Sequence, residues 1–221
     1  MPPIVSIVGK SKAGKTTLLE KLIRELRLRG YRVATIKHAP KGMSLDEPDK
    51  DSWRHIQAGS EATAVSSPDK MVLIKPLTQE IDLGGLGRFF GEDYDIILTE
   101  GFKKGSAPKI EVHRRQVGPP LSGIKKVIAI ATDETLDTKT RQFSLEDVKG
   151  LADLLEQGFI KPQKERVSLY VNNAPISLGS FPKQIIANIV LALASSLKGV
   201  GEVRSLQIFL RKEAKKDREA E

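Results

Sequence analysis

The stretch GKSKAGKTT, residues 9–17, decides the fold predicted for this chain. It matches the pattern G-x-x-x-x-G-K-[ST], in which glycines let backbone N–H groups converge on a phosphate. The apolar segment IVSIV precedes the stretch and LLEKLIRELRLRG follows it, so we expect a strand before the loop and an amphipathic helix after it. This context favours a phosphate-binding loop in a nucleotide-binding domain over a basic turn.

The residue types in this loop indicate a site for a Mg²⁺-bound nucleotide. Lys15 can reach the β- and γ-phosphates, and the hydroxyl of Thr16 can ligate Mg²⁺. Such a site also uses a carboxylate at the end of a neighbouring strand, and the buried-strand pattern IILTE ends in Glu100. We therefore predict Thr16 and Glu100 as the metal-side residues, with Glu100 acting through a water molecule.

Strand and helix patterns alternate through the first two-thirds of the chain. Apolar residues at helical spacing predict helices over residues 16–29, 52–58, 78–90 and 144–158, with Ser144 as the N-cap of the last. Apolar or alternating segments predict strands over residues 4–8, 31–37, 62–65, 71–75, 95–99, 109–113 and 126–132. This alternation predicts an α/β fold of the P-loop NTPase type, with a mostly parallel, doubly wound sheet.

The pattern changes near residue 161. A charged linker, residues 159–166, leads to a hairpin over 167–178 that turns at Asn172 and Asn173, an apolar helix over 181–197 and a strand over 203–211. We predict three parts, which are a P-loop nucleotide-binding domain (1–162), a small β-β-α-β C-terminal module (163–213) and a disordered tail (214–221). The module is small enough that it should dock on the main domain or on a second subunit.

The amino-acid composition excludes several classes of protein. The chain has 221 residues, no cysteine and a net charge of +8. The lack of cysteine excludes a disulfide scaffold and thiolate metal sites, and fits a cytoplasmic protein. The longest apolar run, residues 185–197, suits a buried helix better than a membrane span. No nucleic-acid motif accompanies the positive charge, so we expect neither a nucleic-acid nor a membrane partner.

The sequence leaves the roles of several single residues undecided. The guanine motif N-K-x-D is absent, and Asp133, which follows the strand pattern KVIAI, is a weak candidate for contact with a purine edge. The three histidines, His38, His55 and His113, match no metal-ligand spacing. Lys10 is either a solvated loop lysine, which we favour, or a residue that reaches the nucleotide of a partner subunit.

Five segments together resemble one family. The segments GKSKAGKTTLLEKLI, GYRVATIKH, DEPDKDSWRHIQAGS, ILTEGFK and PKIEVHR occur in order within residues 3–157 and are similar to the MobB family of molybdopterin-guanine dinucleotide biosynthesis adaptor proteins. The chain departs from that family after its second strand, where only His38 remains of a histidine–aspartate cluster. The segment from about residue 167 onward lies outside the short form of the family.

This resemblance implies a GTP-binding homodimer that uses Mg²⁺ and has weak GTPase activity at most. Its implied partners are the molybdenum cofactor guanylyltransferase, which joins GMP to molybdopterin, and other cofactor-assembly proteins. In addition to the whole loop, the resemblance implies roles for residues of the DS-x-RH and EGFK segments. The predicted cofactor-binding residues are Gly9, Lys10, Ser11, Lys12, Ala13, Gly14, Lys15, Thr16, Thr17, Asp51, Arg54, Glu100, Gly101 and Lys103. Lys109, Glu111 and Arg114 match the PKIEVHR segment without an assigned role.

Two other functions remain as alternatives. A metallochaperone-type P-loop GTPase would require a Cys/His metal site and a guanine motif, and the sequence shows neither. A small-molecule kinase would require an acceptor-site base and an arginine-rich lid, for which the loop with Lys103 and Lys104 is the only hint. A purely structural role is hard to reconcile with an intact phosphate-binding loop.

Overall fold

A computed structural model describes residues 1–40, 42, 48–162, 167–172, 174–176, 178–203 and 206–210. The chain forms two compact units, Met1–Lys164 and Glu165–Glu221. The predicted tail, residues 214–221, lies outside the described residues, as do residues 163–166 of the linker. The division into domains 1–162 and 163–213 stays a prediction.

The first unit alternates strands and helices. Its strands are β1 (Ile4–Gly9), β2 (Val33–Lys37), β3 (Thr63–Ser66), β4 (Met71–Ile74), β5 (Ile96–Glu100), β6 (Lys109–Val112), β7 (Val127–Thr132) and β8 (Gln142–Ser144). Its helices are α1 (Lys15–Leu28), α2 (Asp51–Gln57), α3 (Leu83–Arg88) and α4 (Val148–Leu155), with a 3₁₀ turn at Arg115–Val117 and a π turn at Glu156–Ile160.

Six strands form one sheet in the order β2-β5-β1-β6-β7-β8, and every neighbouring pair is parallel. The apolar faces of α1 and α4 pack on one side, where Leu22 and Leu151 belong to the same buried cluster as Ile7. On the other side α3 lies close to the sheet, because a Cβ added at Gly87 would lie 3.2 Å from Ile4 Cδ1. The predicted doubly wound, mostly parallel fold is confirmed. It brings the carboxyl ends of β1, β5, β6 and β7 to one edge, where such folds bind ligands.

Two predicted helices are shorter than expected. Ser144 ends β8 and is not the N-cap of α4, because Asp147 takes that position and its Oδ1 accepts the N–H of Gly150 at 2.9 Å. The helix expected over residues 78–90 is reduced to α3, which Asp82 caps. Three glycines within it lower its intrinsic helix propensity. The predicted strands β3 and β4 form an antiparallel pair of their own.

The second unit contains an antiparallel hairpin of β9 (Leu169–Val171) and β10 (Ala174–Ile176), followed by α5 (Ser180–Ser195). Asn172 lies in the turn with φ +50°, a conformation that asparagine tolerates. The strand predicted over residues 203–211 is not formed over its described part, residues 203 and 206–210. Alternating apolar residues give strand propensity, but a strand also needs a hydrogen-bonded neighbour.

No helix within the described ranges is long and apolar enough to cross a membrane.

Candidate nucleotide-binding site

The loop between β1 and α1 has the backbone geometry that its glycines predict. Gly9 has φ +155°, and a Cβ there would lie 2.4 Å from the carbonyl oxygen of Val112, so only glycine fits. Gly14 is the N-cap of α1 with φ +96°, and no side chain of the described residues caps this helix. Its first N–H groups therefore remain available to an anion.

Lys15 already points into the loop. Its Nζ donates to the carbonyl oxygen of Lys10 at 2.8 Å. Burial lowers the pKa of Lys15, Glu100 opposes this shift, and Lys103 adds to it. The ammonium group is thus held by a carbonyl oxygen of the loop itself, and phosphate oxygens would compete with that oxygen for the ammonium.

Thr16 and Glu100, the predicted metal pair, lie together. Thr16 Oγ1 donates to Glu100 Oε1 at 3.0 Å. Their contact follows from the sheet, because β5 pairs with β1 and Glu100 lies opposite Ile7, just before the loop. A hydroxyl and a carboxylate at this distance form an oxygen donor set of the kind that Mg²⁺ prefers, so the residues present fit the ion.

The EGFK segment continues from β5 alongside the loop. Gly101 has φ +104° and donates its N–H to the carbonyl oxygen of Ile7 at 3.0 Å. A side chain at Gly101 would meet His38, whose Cβ would lie 3.0 Å from the added Cβ. The ring of Phe102 stacks on His38 with a centroid distance of 4.6 Å. Lys103 is near enough to affect the pKa of Lys15, so this segment flanks the phosphate loop.

Asp51 and Arg54 are not joined to the loop by any contact among the described residues. Both lie on α2 with exposed side chains, and Arg54 Nη1 is 3.9 Å from Asp51 Oδ1. Their roles in nucleotide binding stay predictions. For His38, His55 and His113, the described part of the chain contains no group of three His, Cys, Asp or Glu residues able to hold a metal ion.

Two basic residues of the PKIEVHR segment contribute more to the site than sequence reasoning assigned to them. Arg114 Nε donates to the carbonyl oxygen of Ala13 at 3.2 Å, which attaches the end of β6 to the phosphate loop. Lys109 is buried, and its Nζ donates to the carbonyl oxygens of Gly105 at 2.6 Å and Ala107 at 2.8 Å. Lys109 therefore anchors the segment after Glu100. The signal in the sequence was the PKIEVHR segment that follows EGFK, which places Lys109 at the start of β6 and Arg114 just beyond its end.

The chain is similar to known proteins in both sequence and fold. The molybdopterin-guanine dinucleotide biosynthesis adapter protein of Haemophilus influenzae is 36% identical over 156 residues, which are 70% of this chain and 88% of that protein. The adapter protein of Escherichia coli is 37% identical over 161 residues, covering 70% and 92%. The crystal structure of Bacillus subtilis MobB superimposes with a TM-score of 0.56 at 28% identity, covering 71% of this chain and 98% of that chain.

A family model described as molybdopterin guanine dinucleotide synthesis protein B, MobB, matches residues 4–133. The match covers more than half of the 221 residues and includes the phosphate loop, Glu100 and Arg114. The resemblance inferred from five sequence segments is confirmed. The chain belongs to the MobB family.

Proposed function

We propose that this chain is an adapter in molybdopterin-guanine dinucleotide synthesis and that it works with GTP and Mg²⁺ bound. The family and the names of its relatives support the pathway. The observation that carries nucleotide binding is the convergence of Lys15, Thr16 and Glu100 at the N-terminus of α1. In this arrangement the loop and Lys15 would hold the phosphates, while Thr16 and Glu100 would hold the ion.

The proposed partner is the guanylyltransferase that joins GMP to molybdopterin. An adapter that carries GTP would present the nucleotide at the open edge of the sheet, where the ends of β1, β5 and β6 meet. When bound, Mg²⁺ would offset the negative charge of the phosphates. We expect weak GTPase activity at most, so the main role of the chain would be to bind GTP and deliver it to the guanylyltransferase.

A homodimer is part of the proposal. The hairpin of β3 and β4 exposes large apolar side chains, including Val65, Met71 and Leu73, which are 47–69% accessible. Exposed apolar surface of this kind is typical of protein–protein contacts. Sedimentation of the full chain should give the mass of two copies, and a monomer at all concentrations would contradict this part of the proposal.

The function is tested with the purified full chain in two steps. Calorimetry with GTP and ATP, each with and without Mg²⁺, should show tightest binding for GTP with Mg²⁺. A reaction of guanylyltransferase, molybdopterin and GTP should then form more dinucleotide when this chain is added. Binding of GTP without any effect on dinucleotide formation would exclude the adapter role while preserving the nucleotide site.

A further inference from the structure

Arg114 lies between two parts of the site, the phosphate loop and the end of β7. Its Nε holds the carbonyl oxygen of Ala13, and its Nη1 lies 4.0 Å from Asp133 Oδ2, at the end of β7. The backbone N–H of Arg115 donates to Asp133 Oδ1 at 2.9 Å, which fixes that carboxylate beside the guanidinium. A guanidinium has five N–H donors, so these contacts leave donors on the side chain, which is 33% exposed.

The sheet order indicates which end of a nucleotide would face Arg114. The Thr16–Glu100 contact puts the metal end of the triphosphate on the β5 side of β1. β6 pairs with the opposite side of β1, and β7 lies beyond it. A nucleotide that runs from the ion across the loop therefore extends its nucleoside over the ends of β6 and β7. Arg114 and Asp133 stand at those ends.

The chemistry of arginine then favours one purine. Guanine presents two acceptors on one edge, O6 and N7, whereas adenine replaces O6 with an amino donor. Arginine offers only donors, in a planar fork that matches the two acceptors of guanine. We propose that Arg114 is a specificity-determining residue that donates to the O6 and N7 edge of guanine while its Nε holds the phosphate loop. This inference rests on the proposed function, because it names the base that the same site selects.

The test is the ratio of Kd values for ATP and GTP, measured with Mg²⁺ on the full-length chain. Arg114→Gln should lower the preference for GTP about tenfold, because a bidentate arginine–guanine pair discriminates by that order. Arg114→Lys should restore part of the preference, since lysine is a donor without the fork. Arg115→Gln is the matched control, because it keeps the backbone N–H that holds Asp133 and removes the same charge from the neighbouring side chain, which is 83% exposed. It should leave the preference unchanged.

Inorganic tripolyphosphate with Mg²⁺ separates base recognition from any change in the loop, because this probe has no base. In Arg114→Gln the affinity for GTP should fall about tenfold more than the affinity for tripolyphosphate. Equal losses for GTP, ATP and tripolyphosphate would overturn the inference, and so would an unchanged GTP preference. If the unaltered chain binds no nucleotide, the proposed function fails as well. If it binds GTP with a preference independent of Arg114, only this inference fails.

Discussion

Replacing Lys15 with alanine is expected to weaken the binding of GTP with Mg²⁺ by about a hundredfold or more. Hydrogen bonds to charged groups contribute roughly 1.5–3 kcal/mol each, and Lys15 can reach two phosphates. In the free chain the Nζ of Lys15 donates to the carbonyl of Lys10, a loop contact that contributes little to the core. The thermal unfolding temperature without nucleotide should therefore change little. Calorimetry with GTP and Mg²⁺ measures the effect.

Arg24→Ala is the control for the loss of one positive charge on the same helix. Arg24 is exposed on α1 and lies more than two helical turns beyond Lys15. Its variant should bind GTP as the unaltered chain does. Unchanged GTP affinity in Lys15→Ala would remove the assignment of residues 9–17 as the phosphate-binding loop.

The fold of the first unit was largely predictable, because the sequence features that indicate it are local patterns or glycines at which the backbone packs closely against a neighbour. Gly9 and Gly14 mark positions of the motif at which the backbone cannot carry a side chain. The structure shows this at Gly9, where an added Cβ would clash with the carbonyl oxygen of Val112. The apolar stripe of α1 and the buried strands β1 and β5 follow from periodicity. Because parallel strands end at one edge, the meeting of Thr16 and Glu100 could also be anticipated.

The features that the sequence did not predict depend on contacts between residues that are far apart along the chain or on strand pairing. The bond of Arg114 to the carbonyl of Ala13 joins residues about 100 positions apart, and its geometry arises only when β6 pairs with β1. Ser144 and Asp147 both suit a helix N-cap, and the pairing of β8 with β7 decides between them. In the second unit, propensity predicted a strand over residues 203–211 that has no partner in its described part.

Replacing Glu100 with glutamine is expected to weaken Mg²⁺-dependent binding of GTP by about 10- to 100-fold. That range is typical when a group that orients a metal ligand through a hydrogen bond is removed. Glutamine keeps the shape and an oxygen that accepts from the hydroxyl of Thr16, at present 3.0 Å from Glu100 Oε1, but removes the charge that faces the ion. The free energy of unfolding without nucleotide should change by less than about 0.5 kcal/mol, because Glu100 lies at a strand end outside the apolar core.

Titrating the Glu100→Gln variant with GTP and GDP, each with and without Mg²⁺, separates a metal role from a loop role. The largest loss should occur for GTP with Mg²⁺, and Mg²⁺-independent binding of GDP should weaken less or not at all. Equal losses in all four conditions would mean that the carboxylate holds the loop through Thr16 and not the ion. No loss in any condition would move the metal role to another carboxylate, with Asp46, which lies outside the described residues, and Asp51 next to be tested. Because Asp51 lies on α2 without a described contact to the loop, that outcome would also require α2 to approach the loop when nucleotide binds.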